Sequence, residues 1–255
     1  MNGLILYVRL TMHLLRLDCR NFITSVFYSL IAKILLFLSM ILPVKIILFL
    51  NPSQQIPNFV IELLGSKTNL IFALCGFMLV SMALASVFNK KSQALKDEKI
   101  DNLLALLTEK PDYKAIESTK TLVTKCALSS TLIIFSLICV IGALILYPTL
   151  VAISIISFIC YIIFSNIYIK HQDPQKASKV IDNLLSKLGV FTFITSLLYI
   201  VLDATANNAG HDFLILVLSL LLVRQYSTMG GKTAINLITM NKNKDCAVKI
   251  LESVS

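Results

Sequence analysis

Lys33 and Lys45 are the side chains most able to do chemistry in this chain, because both stand inside one long apolar stretch, residues 22–50. An ionised group at membrane depth is costly, and its presence marks a candidate ion or substrate contact. Counted from Phe22, Lys33 lies about 16 Å along a helix at 1.5 Å per residue. That is farther than a lysine stem easily reaches back to water. If the membrane boundary slides toward Ile31, Lys33 returns to the interface, so a pore-facing and an interfacial Lys33 both stay open. Lys45 is near the far end of the stretch and can extend its ammonium to the surface. Pro43 stands between the two lysines. It leaves the Ser39 carbonyl without its helical donor, so a kink is expected there. Lys33, Pro43 and Lys45 are the candidate substrate-path residues.

Other constellations are weaker. Gly231-Lys232-Thr233 resembles the end of a phosphate loop, but Tyr226 occupies the position of the required first glycine. The segment also follows an apolar stretch rather than a strand. A basic stop at the membrane surface is the expectation instead. Asp203, His211 and Asp212 fall close together in a turn with Asn207, Asn208 and Gly210, which reads as loop polarity. There is no H-E-x-x-H or G-x-S-x-G pattern. The histidines His13, His171 and His211 are far apart, and none of the six cysteines forms a C-x-x-C pair. No catalytic residue, metal site or cofactor is therefore expected, and the chain is not expected to be an enzyme. No Asp or Glu lies deep in an apolar stretch, whereas proton- and sodium-coupled carriers place carboxylates there.

These residues must be positioned by membrane helices. The chain has 255 residues, is 56% hydrophobic and only 15% charged, against about a quarter charged in soluble domains. Six stretches are long enough to cross a bilayer: 22–50, 68–88, 122–147, 149–169, 186–205 and 209–228. The third and fourth form a hairpin broken at Tyr147-Pro148. The first ionised side chain, Arg9, follows apolar residues instead of preceding them, unlike a signal peptide. With six spans the termini share a side. Of the 23 lysines and arginines, 19 fall in the N-terminal tail, the loops taken as 89–125 and 170–187, and the C-terminal tail. The positive-inside rule places these in the cytoplasm. That accounts for the net charge of +9 without invoking nucleic acid. The expected fold is an all-α integral membrane protein of the plasma (bacterial inner) membrane with both termini cytoplasmic. Its expected parts are an interfacial helix (1–20), a six-helix transmembrane domain (21–230) and a C-terminal tail (231–255).

The flanking pieces carry the remaining candidates. Arg9, His13, Arg16 and Arg20 recur at spacings of four, three and four, and would form one polar stripe on a helix lying along anionic lipid. The loop 89–125 mixes basic and acidic residues with leucines, and Pro111 is expected to start a second short helix there. Asp173-Pro174 offers a cap and first residue for a helix running directly into span five. Ile100-Asp101-Asn102-Leu103-Leu104 recurs as Ile181-Asp182-Asn183-Leu184-Leu185, a match that chance also produces in a sequence this rich in Leu and Ile. Asp101, Asn102, Pro111, Asp112, Tyr113, Asp182 and Asn183 are the partner-docking candidates. Ser129, Ser136, Cys139 and Ala143 form a small-residue stripe suited to close helix packing.

The layout resembles the transmembrane domain of a type I exporter of the ATP-binding-cassette class. The residues that carry the likeness are the basic stripe from Arg9 to Arg20 before span one and Leu42-Pro43-Val44-Lys45-Ile46-Ile47 within it. Arg224, Asn236-Leu237-Ile238 and Lys249-Ile250-Leu251-Glu252 carry it at the other end. The resemblance implies six spans, an elbow helix, a second six-span copy or relative completing a translocation path, and a separate ATPase as partner. Departures are the missing Walker A and signature motifs and the short loops, which in the family carry the coupling helices. The competing expectation is a non-transporting membrane interaction protein, such as a toxin-immunity, regulatory or effector subunit, with the bilayer and an oligomeric partner as its contacts. A membrane-embedded enzyme ranks third.

Overall fold

The computed structural model describes residues 3–50, 65–106, 113–170, 174–207 and 213–243. Every regular element among them is a helix: α1 (Gly3–Leu17), α2 (Cys19–Leu50), α3 (Lys67–Leu106), α4 (Tyr113–Leu146), α5 (Pro148–Lys170), α6 (Pro174–Asn207) and α7 (Phe213–Lys242). Five of them, α2, α3, α4, α6 and α7, contain segments long and apolar enough to cross a membrane, and α5 is apolar over Pro148–Cys160. The molecule is an all-α, multi-pass membrane protein.

Helix lengths depart from the expected loops. α3 has 40 residues, about 60 Å at 1.5 Å per residue, or roughly twice a bilayer's hydrocarbon core. It does not stop near residue 88. No Gly or Pro occurs between Gly76 and Pro111, and the stretch beyond Phe88 is rich in good helix formers such as Gln93, Ala94, Leu95 and Lys96. The segment expected as a helical loop is thus mostly a continuation of α3 and α4. Pro111 and Asp112 lie outside the described residues. α6 does run unbroken from Pro174. The α4–α5 hairpin breaks at Tyr147, whose N–H closes the last turn on the Ala143 carbonyl at 2.8 Å.

Two buried clusters hold the bundle, and α4 and α7 pass through both. One gathers Leu6, Leu10 and Leu14 of α1 with Ile100, Leu103, Leu122, Cys126 and Met240. The other packs Phe135, Cys139 and Ala143 of α4 against Leu222, Val223 and Tyr226 of α7, with Leu150 and Val151 of α5. The small-residue stripe lets α4 and α7 approach, since a Cβ on its neighbour Gly142 would already touch Leu222 at 3.4 Å. α7 is the most enclosed of the five long apolar helices, with 44% of its apolar window buried against 11% for α2 and for α3. The α2–α3 hairpin therefore lies at the periphery, where Ile23, Phe27, Phe72, Leu79 and Val80 are exposed.

α6 and α7 meet at two glycines. A Cβ on Gly231 would fall inside contact of the Leu185 carbonyl oxygen. One on Gly189 would overlap the Thr228 hydroxyl and reach its Cα at 3.1 Å. The backbones approach so closely that only glycine fits, the small-residue packing of membrane helices. Gly231 is thus a packing residue in the interior of α7, which continues to Lys242. The helix itself does not stop at Gly231-Lys232-Thr233, and Lys232 is exposed there.

Candidate functional site

The densest polar arrangement is on the seam between α2 and α3. Ser25, Ser29 and Lys33 recur every four residues on α2, and Ser92, Lys96 and Lys99 follow at spacings of four and three on α3. All three serines are buried. Lys96 Nζ donates to Ser29 Oγ at 3.3 Å. The Ser29 and Ser92 hydroxyls share a 2.7 Å bond, and Ser92 Oγ donates to the Ser25 carbonyl at 2.8 Å. One set of protons satisfies the whole relay, from ammonium through two hydroxyls to a backbone oxygen. Such bonds between helices replace the water that apolar surroundings withhold.

Lys33 stands one turn beyond Ser29 and is half-buried. Among the described residues, the charges acting on it are the like charges of Lys232 and Lys96, and no carboxylate acts on it. Asp97 offsets Lys96 in part. These three lysines stand on three different helices, α2, α3 and α7. A positive field at the edge of a low-dielectric bundle attracts an anionic group.

Lys99, one turn past Lys96, does something different. It is 4% exposed. Its Nζ donates to the Leu14 carbonyl at 2.7 Å and the Asp18 carbonyl at 3.1 Å, and lies 4.9 Å from the Phe22 ring centroid. These carbonyls belong to the last turn of α1 and to the junction residue. A cation there also complements the negative end of the helix dipole. Asp18 starts α2 as its N-cap, with Oδ1 accepting the Asn21 N–H at 3.2 Å. Lys99 thus holds the elbow between α1 and α2 against α3. On α4, Ser130 hydrogen-bonds the Tyr7 hydroxyl at 2.9 Å, and Cys126 Sγ lies 3.0 Å from Thr11 Oγ1.

The structure splits the expected basic stripe. Arg9, His13 and Arg16 are on α1, but the helix breaks at Asp18, so Arg20 is in the first turn of α2. Arg9 and Arg16 are exposed and His13 is half-buried. Leu6, Leu10 and Leu14 are fully buried against the bundle, while Leu4, Ile5, Val8 and Met12 form a second, exposed apolar face. Lys45 lies 5.6 Å from the Phe49 ring centroid. Pro43 is exposed and α2 stays helical through it. Neither Pro43 nor Lys45 joins the lysines around Lys33.

Asp101 and Asn102 are exposed on the far end of α3, between the buried Ile100 and Leu103. Asn183 is exposed near the start of α6. Tyr113 and Asp182 fall within α4 and α6, but their side chains lie outside the described residues, as do His211 and Asp212. Asp203 accepts a 2.5 Å hydrogen bond from the Tyr147 hydroxyl, which ties the α4–α5 turn to α6. Among the described residues no three His, Cys, Asp or Glu side chains cluster as metal ligands.

Lys96, Lys99 and the three serines did not emerge from the sequence as candidates. Their signal was the helical spacing, hidden because α3 was expected to end before Lys96. No family model, curated protein or solved structure matches the chain.

Proposed function

We propose that the chain is the membrane-spanning subunit of an exporter-like transport system, forming a translocation path with a second six-span subunit and driven by a separate ATPase. In this reading α5 supplies the sixth span, α1 lies at the interface, and both termini face the cytoplasm of a bacterial inner membrane. The observation that carries it is the unbroken length of α3, α4 and α6. Each continues from an apolar span into a charged extension on the basic side. A partner pressing on those extensions moves the spans as rods, which answers the want of long coupling loops. Lys33, half-buried and subject among the described residues to the positive charges of Lys232 and Lys96 and to no carboxylate, suits the anionic part of an amphipathic substrate.

Inside-out vesicles from cells making the chain test this directly. ATP-dependent accumulation of a fluorescent fatty-acid anion is expected in wild type and is expected to fall at least tenfold in Lys33→Gln. Accumulation no higher than in vesicles without the chain removes the transport reading and leaves a non-transporting interaction protein. Equal accumulation in wild type and Lys33→Gln removes the role of Lys33.

A further inference from the structure

A second cationic feature lies away from Lys33, on the periphery of the hairpin. Where α1 turns into α2, a groove of about 590 Å³ opens between the first turns of α2 and the part of α3 just past Phe88. Arg20 lines it from α2 and Lys91 from α3, and both are exposed. Tyr28 also lines it. Its ring stacks on Phe88 with centroids 5.6 Å apart, and the Lys91 ammonium lies 6.0 Å from its centroid. Asp18 is the acidic residue in the lining, with Oδ1 accepting the Asn21 N–H, and the groove sets the two positive charges of Arg20 and Lys91 against its one negative charge. Thr24 also lines the groove, with its hydroxyl proton committed to the Arg20 carbonyl at 2.6 Å.

The surroundings of the groove decide what fits it. Leu84, Val87 and Lys91 recur at three and four residues on α3, so they share a face. Leu84 and Val87 are exposed, as is Val80 one turn farther on. An apolar strip therefore runs along α3 from the span to the Lys91 end of the groove. On α2, exposed Ile23 and Phe27 lie beside Arg20 and Thr24. A ligand with a compact anionic head and aliphatic chains matches this sequence of surfaces: two cations from two helices, an aromatic ring, then exposed apolar side chains. With the spans taken at 22–50 and 68–88, Arg20 is two residues before the first and Lys91 three past the second, the level of the lipid phosphates.

We propose that this groove is a binding site for the phosphate headgroup of an anionic phospholipid, whose acyl chains lie along the exposed strip of α3. The site needs only the membrane reading, not the transport reading. One bound lipid bridges the elbow and the α2–α3 hairpin, and its phosphate draws Arg20 and Lys91 together. Phosphatidylglycerol is the probe for the test, with phosphatidylcholine as the zwitterionic comparison. By native mass spectrometry of the purified full chain, wild type is expected to retain phosphatidylglycerol. Arg20→Gln/Lys91→Gln is expected to bind it at least tenfold more weakly, and Arg16→Gln/Lys120→Gln, of equal charge loss on exposed positions outside the groove, within twofold of wild type. Equal weakening in both double variants shows bulk attraction and overturns the site. So does displacement of the lipid by millimolar inorganic phosphate, or equal retention of phosphatidylcholine. A photoactivatable phosphatidylglycerol on the wild-type chain gives a readout independent of any variant's folding. Crosslinks are expected on residues 20–28 and 80–95, and crosslinks confined to other helices overturn the proposal.

Discussion

Gly231→Val is expected to abolish the monodisperse folded protein in detergent, and Gly231→Ala to lower its melting temperature by several degrees. The reason is backbone against backbone. The added Cβ meets the Leu185 carbonyl oxygen, and Leu188 Cβ is 3.8 Å away. No side-chain rotation relieves a clash with a carbonyl in the middle of α6, so the helices must separate. Overpacking typically costs about 1–3 kcal/mol, and valine adds two methyls beyond the alanine clash. Separation also disturbs Gly189, whose Cβ position is 3.0 Å from Thr228 Cβ on the same seam. Gly76→Ala should go the other way. Gly76 is exposed inside α3 with nothing within 4 Å of an added Cβ, and alanine gains about 1 kcal/mol over glycine in a helix interior. Thermal unfolding followed by size-exclusion fluorescence checks both signs. Equal behaviour of Gly231→Ala and Gly76→Ala would mean that α6 and α7 are not in close contact.

Lys99→Met is expected to release α1 without unfolding the bundle. Methionine keeps the aliphatic stem but loses both bonds to the Leu14 and Asp18 carbonyls. Hydrogen bonds from charged groups are worth about 1.5–3 kcal/mol each, and the two carbonyls keep only their backbone bonds, from the Asp18 and Phe22 N–H groups at 3.3 Å. The remaining ties, Leu6, Leu10 and Leu14 in their cluster and Tyr7 on Ser130, hold α1 only in part. Amide hydrogen exchange within Gly3–Leu17 should therefore rise at least tenfold, while exchange in α4 and α7 stays near wild type. Lys90→Met, which removes an exposed charge from the same helix, should leave α1 protection unchanged. Unchanged exchange in Lys99→Met would show that the apolar stripe alone docks the elbow.

Much of the helical layout was legible because apolar runs and helix stops are local signals. Asp173-Pro174 marked where α6 begins, and Tyr147-Pro148 where α4 gives way to α5. The apolar span 68–88 was legible, but not that one unbroken helix carries it on to Leu106. Composition reports solvent exposure, and a helix that leaves the membrane is as polar as a loop. The missing Gly and Pro between Gly76 and Pro111 was the better guide. The basic stripe on α1 was legible, but its break at Asp18 was not. The break depends on the Asp18 side chain turning back to Asn21 and on Lys99 arriving from a distant helix. Lys33 stood out from its apolar neighbours. The charges that act on it, Lys96 and Lys232, are remote in sequence and act only through the packing of α3 and α7. Gly231 was read as part of a surface motif, and its close partner, Leu185, is visible only in the packed structure.

The central claim is that the charged end of α3 receives a nucleotide-driven partner. A photoreactive amino acid placed at Asp101 or Asn102, both exposed beyond the buried Ile100, tests it in intact cells. Irradiation followed by mass spectrometry of the adduct should identify a nucleotide-binding subunit. The same adduct should weaken when the probe is moved to Leu79 in the apolar half of α3, which is exposed among apolar residues. Adducts at Asp101 and Asn102 that contain only lipid, a second copy of this chain or a protein without nucleotide-binding activity would contradict the account.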